Sequence, residues 1–180
     1  ARFRHRVLRG DGMLRLKWQH GVLGTIRGLE KNFFWGARFS VALVAALGAD
    51  AWAAACGSVP VPSFTVTKLA WLRRCEPEFF RRVAHVVLPH DWLTFQLTGR
   101  LCTDRGDASG TGWWSPAEGR YRTDLLDLVD DSVDWRSMLP EVLAPSEPAG
   151  EWEGLVVGPG TGDNMAAALG IALRPDDLAL

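Results

Sequence analysis

Towards its end the chain runs Leu155-Val156-Val157 into Gly158-Pro159-Gly160-Thr161-Gly162, and then into Asp163-Asn164-Met165-Ala166-Ala167-Ala168-Leu169. An apolar triplet, a turn with three glycines and a run of helix formers spell strand, tight turn and helix. No other stretch constrains the fold as strongly. A strand that feeds directly into a helix packs best as part of an α/β layer.

The rest of the chain repeats the theme more weakly. Val86-Val87-Leu88 is predicted as a short buried strand, ended by Pro89. Asp91 is placed to cap the helix that carries Trp92, Leu93 and Leu97, and Gly99 suits its left-handed C-terminal position. Leu101 to Thr111 is predicted as a second strand with a polar end.

Upstream, the Ala- and Leu-rich stretch from Val41 to Ala55 predicts a helix broken near Gly48, with Asp50 able to cap its second half. A loop at 57–62 follows. Thr67 to Arg74 predicts a helix with Leu69 and Leu72 on one face. Pro77 starts another, in which Phe80, Val83 and Ala84 have helical spacing. Asp124 to Val129 predicts one more helix, Met138-Leu139-Pro140 closes that region, and Pro145, Pro148 and Gly150 make a linker.

Residues 1–38 differ from all of this. Basic, aromatic and glycine residues alternate there without a helical or strand period. The two parts are therefore taken as a poorly patterned segment over 1–38 and an α/β region over 39–180. A basic arm for nucleic acid is the alternative reading of the first part, but it carries no known binding module.

Composition narrows the class. The 180 residues are 47% hydrophobic and 23% charged, with a formal net charge of −1. That profile suits a globular protein and offers no basic field for nucleic acid or an acidic membrane. Cys56, Cys75 and Cys102 are odd in number and widely spaced, as expected of free thiols in a reducing cytoplasm. The most apolar stretch, Phe39 to Ala49, is too short to span a bilayer. A cytoplasmic protein without nucleic-acid or membrane partners is expected.

Chemistry concentrates at Asp163. It follows the glycine turn at the end of a strand, where α/β proteins often bind ligands. One carboxylate there can orient a hydroxyl and accept its proton during phosphoryl transfer. On local sequence alone the commoner role of such an Asp is a helix cap. Asn164 could bond a substrate hydroxyl or help form the turn. The turn is neither G-x-G-x-x-G nor a Walker A loop, so no dinucleotide or Walker-type phosphate site is expected.

Other candidates are weaker. His85 and His90 lack metal-ligand partners at sensible spacing, and His85 is expected near a helix end, partly buried. Asp104 and Asp107 are expected as turn or strand-end groups. Ser109 lies one place too late for a nucleophile elbow. Of the nine Trp residues, most are expected in the core rather than on a sugar-stacking platform.

Several ordered runs carry a resemblance. Ser63, Thr65, Lys68, Leu69, Trp71 and Leu72 match the first signature of the FGGY carbohydrate kinases, and Cys75 departs from it. Leu88-Pro89-His90-Asp91-Trp92-Leu93 and Leu97-Thr98-Gly99 resemble the family's next run. Thr103-Asp104 and Asp107-Ala108-Ser109-Gly110-Thr111 resemble the stretch after it in the members that act on xylulose. Gly162-Asp163-Asn164 is similar to the catalytic-base motif. The runs span about residues 50–172.

The resemblance implies part of the N-terminal lobe of an actin-like (ribonuclease H-like) ATPase fold. It implies Asp163 as the base that deprotonates a sugar hydroxyl and as a sugar contact, with Asn164 as a second contact. It also implies ATP and Mg²⁺ as cofactors of a full-length parent, held by a lobe this chain does not contain. No cofactor- or metal-binding residue is therefore expected here.

The family's Asp-x-Gly-Thr hairpin and early sugar-contact segments are not recognisable. A fragment, with a shifted reading frame before about residue 39, is the expectation. It would be inactive alone and, through exposed apolar surface, prone to self-association or a homodimer. The acceptor implied is a ketopentose such as D-xylulose, with ribulose, gluconate and glycerol as alternatives. A non-catalytic sugar-binding or interaction remnant is the reading from another class.

Overall fold

The computed structural model describes residues 36–172. The basic segment over 1–38 therefore lies, but for its last residues, outside the described part. Helix α1 (Gly36–Leu47) and α2 (Ala49–Cys56) meet at an 89° bend. Gly48 makes the bend with φ 93°, a conformation that a side chain would resist. Gly48 rather than Asp50 takes the N-cap position of α2. No single helix among the described residues is long and apolar enough to cross a membrane.

Helix α3 (Thr65–Cys75) starts where the Thr67 hydroxyl donates to the Phe64 carbonyl at 2.7 Å. Helix α4 (Pro77–Phe80) stops after one turn. Val83 and Ala84 therefore do not continue it, despite their spacing. The chain instead runs without regular structure to Leu88. The expected strand at Val86-Val87-Leu88 does not form. Val86 N–H donates to Met138 O at 3.0 Å, but no ladder develops beside it. Pro89 opens α5 (Pro89–Thr98) directly after the run, which leaves no length for a ladder.

The predicted strand from Leu101 to Thr111 is also cut short. Strand β1 (Cys102–Asp104) gives way at once to helix α6 (Arg105–Ser109). The Asp104 carboxylate causes the switch by accepting the N–H groups of Gly106, at 2.7 Å, and Asp107. Strands β2 (Trp114–Ser115) and β3 (Arg120–Tyr121) pair antiparallel. Helix α7 (Thr123–Leu126) is shorter than predicted, and α8 (Trp135–Met138) follows. Strand β4 (Glu141–Leu143) returns to pair parallel with β1.

Gly150, expected in a linker, begins β5 (Gly150–Trp152) instead. It pairs antiparallel with β6 (Leu155–Val157) through Glu153 and Gly154, whose φ angles of 49° and 77° make a tight reversal. Helix α9 (Asp163–Gly170) comes after the glycine turn, as predicted.

The core gathers Trp52, Val66, Leu69, Phe80, Trp113, Leu125, Leu126 and Trp135. Two of the indoles are also anchored. Trp52 Nε1 donates to Leu43 O at 3.0 Å and Trp135 Nε1 to Asp130 O at 2.9 Å. Buried indoles thus give up water without losing a hydrogen bond. Cys102, Leu143 and Ala149 form a second, smaller cluster beneath the β1–β4 pair. Cys56 and Cys102 are buried free thiols, held protonated more firmly by burial, while Cys75 is exposed.

Candidate active site

Three elements converge beneath the glycine turn: the start of α5, the end of β1 and the body of α6. Proline at the first position of α5 costs no hydrogen bond, so the helix begins two residues before Asp91. Asp91 is therefore its third residue and not its cap. It reaches back, and its Oδ2 accepts the Leu88 N–H at 2.7 Å.

The other oxygen of Asp91 faces His90. Asp91 Oδ1 lies 3.0 Å from His90 Nε2, and Asp104 Oδ1 lies 3.3 Å from the same nitrogen. Across the ring, Asp107 Oδ2 lies 3.0 Å from Nδ1. Asp91 is fully buried and Asp104 nearly so. Burial pushes the carboxyl of Asp91 above its ordinary value, against the pull of the Leu88 N–H. Burial raises Asp107 as well; His90 opposes this, while Asp104 and Asp163 add to it.

His90 thus has carboxylate partners that spacing along the sequence hides. His90, Asp104 and Asp107 offer atoms all within 4.8 Å of one another. The expectation that Asp104 and Asp107 are only strand-end or turn groups holds locally, since Asp104 caps α6, but both also face the cluster. His85 is exposed in the irregular 83–88 segment and not at a helix end.

The glycine turn rests directly on this cluster. A Cβ added to Gly160 would sit 2.6 Å from His90 Cδ2, and one added to Gly162 would sit 2.1 Å from Asp107 Oδ1. Gly160 also has φ 84°. The glycines are needed because the backbone passes so close to these side chains. The same contacts fill the space a phosphate would need, and Asp107 and Asp163 would repel one. The turn therefore does not fit the nucleotide's phosphates.

The turn delivers Asp163 as the first residue of α9, after Gly162 at the cap position. The capping alternative for Asp163 is set aside by that placement. Its Oδ1 accepts only the neighbouring Asn164 N–H, at 2.8 Å. Both side chains are exposed, so Asp163 and Asn164 are brought together and left open. An exposed carboxylate in this position can bind a hydroxyl and take its proton.

The described residues thus combine a parallel strand pair, β1–β4, flanking helices, and an open carboxylate after a glycine turn. The family model for the "FGGY family of carbohydrate kinases, N-terminal domain" matches residues 42–170. The chain belongs to that family of phosphotransferases.

Among its relatives, the xylulose kinase of Streptomyces coelicolor is 51% identical over 137 residues, covering 71% of this chain and 28% of the relative. The xylulose kinase of Escherichia coli is 37% identical over 126 residues, covering 65% of this chain and 26% of the relative. The crystal structure of xylulose kinase from Bifidobacterium adolescentis superposes with a TM-score of 0.67 at 31% identity, covering 79% of this chain and 37% of that one. The Plasmodium falciparum glycerol kinase shares the fold at 19% identity and a TM-score of 0.63, covering 76% of this chain and 29% of that one. The chain thus spans little more than a quarter of the length of the curated relatives it matches.

Proposed function

We propose that this chain forms the sugar-facing part of a kinase that phosphorylates a hydroxyl of D-xylulose, giving D-xylulose 5-phosphate. The observation that carries this reading is the exposed Asp163 at the start of α9, in a chain 51% identical to a xylulose kinase over 137 residues. Asp163 accepts a hydrogen bond from the sugar hydroxyl and takes its proton as that oxygen attacks phosphorus. The Asn164 amide bonds a neighbouring hydroxyl and fixes the orientation of the sugar.

ATP with Mg²⁺ supplies the phosphoryl group and neutralises its charge. No described residue forms a cradle for that donor.

The test is turnover by the enzyme expressed from the full reading frame that encodes this chain. ATP would be supplied with xylulose, ribulose, gluconate or glycerol in turn. The highest kcat/KM on xylulose is expected. A higher value on another of the four would move the acceptor. Sugar binding without turnover would favour the non-catalytic reading.

A further inference from the structure

We propose that His90 is a positioning residue for Asp163, an inference that rests on the role given to Asp163 above. The His90 ring, clamped among Asp91, Asp104 and Asp107, is the floor that holds the glycine turn and sets where the base points.

Carboxylates approach the ring from both sides. Acceptors face both edges of the ring, with Asp107 at Nδ1 and Asp91 and Asp104 at Nε2. Rotating the ring would break all three contacts. Two of the carboxylates are themselves fixed, Asp91 by the Leu88 N–H and Asp104 by the Gly106 N–H. The ring therefore inherits the rigidity of the starts of α5 and α6. Among the described residues, His90 is the basic side chain whose nitrogens lie 3.0–3.3 Å from these three acids. Without it, Asp107 would lose the partner that keeps its carboxylate against Gly162.

The turn then transmits that order. Gly160 touches the ring and Gly162 touches Asp107, and Asp163 is the very next residue. A small shift of the floor becomes a shift of the base, and misplacement by an ångström can cost roughly 100-fold in rate. A divalent cation held by the same His90, Asp104 and Asp107 is the rival account. The backbone of the turn lies against the ring at Gly160 and against Asp107 at Gly162, which favours the positioning role.

The test uses the full-length enzyme, with Asp163→Asn as the control for the underlying reading. His90→Gln removes the ring and its second N–H. His90→Lys supplies a positive charge that can pair with the acids but, as an ammonium, offers no lone pair to a metal. Gly162→Ala leaves φ at −64°, which alanine accepts, so it probes the contact with Asp107 alone.

His90→Gln and Gly162→Ala should each lower kcat roughly 10- to 100-fold with little change in sugar KM. His90→Lys should recover most of the lost kcat. Amide exchange over residues 160–166 should quicken in His90→Gln and Gly162→Ala but not in His90→Lys.

Wild-type kcat and exchange in both His90→Gln and Gly162→Ala would overturn the proposal. So would equal losses in His90→Gln and His90→Lys together with one Mn²⁺ bound per wild-type chain, which would assign a metal site. If Asp163→Asn leaves turnover intact, the catalytic reading fails, and the exchange data still decide whether His90 holds the turn. If His90→Gln does not fold, Gly162→Ala carries the decision.

Discussion

The tryptophan-cored body and the segment from Gly150 to Ile171 hold their places by different means. In the body, Trp52, Leu126 and Trp135 are almost wholly removed from water, and the indoles keep hydrogen bonds. In the later segment Leu155, Val156, Met165, Leu169 and Ile171 are all exposed, and α9 buries none of its side chains. The glycine turn is tied down by its contacts with His90 and Asp107 instead. Burial distributes stability over many contacts, whereas close approach at two glycines concentrates control in a few. Substitutions in the body should therefore read out as stability, and those around the turn as activity.

The sharpest way to draw that line is Asp163→Asn. It should lower kcat by roughly 10²- to 10⁴-fold, the usual contribution of a general base, with an unchanged melting curve. Steady-state kinetics and a thermal melt on the same preparation check both halves. Trp52→Ala or Trp135→Ala should do the converse, costing about 3–5 kcal/mol in a denaturant titration. Gly160→Ala falls between them. It combines a φ of 84° with a ring 2.6 Å from the new Cβ, and should cost about 1–3 kcal/mol while also slowing turnover.

A smaller effect comes from pH. Folding raises the carboxyls of Asp91 and Asp107 above their ordinary 3.8, so the folded state binds more protons just above that value. Their contribution is then greatest below 3.8 and is lost as pH rises through the folded values. Folding lowers Asp124 and Asp130 through Arg122, Ser132 and Arg73, and their contribution is lost only as pH falls below 3.8. Melting temperature against pH should therefore fall less steeply from mildly acid to neutral pH in Asp91→Asn than in wild type. An identical slope would show that Asp91 does not carry the effect. Smallest of all, Leu169→Ser should change stability by no more than about 0.5 kcal/mol, since the side chain is 78% exposed. A larger loss would mean that α9 is covered in solution.

Some of this was legible from residue order. The strand, glycine turn and helix over 155–169 formed as their pattern implies, because turn chemistry and helix propensity act locally. Gly48 and Gly99 mark their helix breaks for the same reason. The strand at 86–88 did not form, and the one over 101–111 stopped after Asp104. A strand needs a partner, and whether one lies alongside is not a local property. Asp91 was placed as a cap because its type suits one, but Pro89 moved the helix start two residues earlier.

The candidate site divides the same way. Asp163 and Asn164 stand out in sequence through their motif and their place after a glycine turn. His90 does not, because its partners Asp104 and Asp107 are 14 and 17 positions away on different elements. The runs that hold them, Leu-Pro-His-Asp and Thr-Asp followed by Asp-Ala-Ser-Gly-Thr, were visible, but nothing in either run says that they meet.

The sequence by itself thus determined the family, the punctuation of helices and turns, and the carboxylate at the head of α9. Only the tertiary structure decided which acids surround His90 and why Gly160 and Gly162 must lack side chains. The physical reason is range. Propensity and capping act within a few residues, whereas ion pairs and backbone approach depend on distances that packing alone sets.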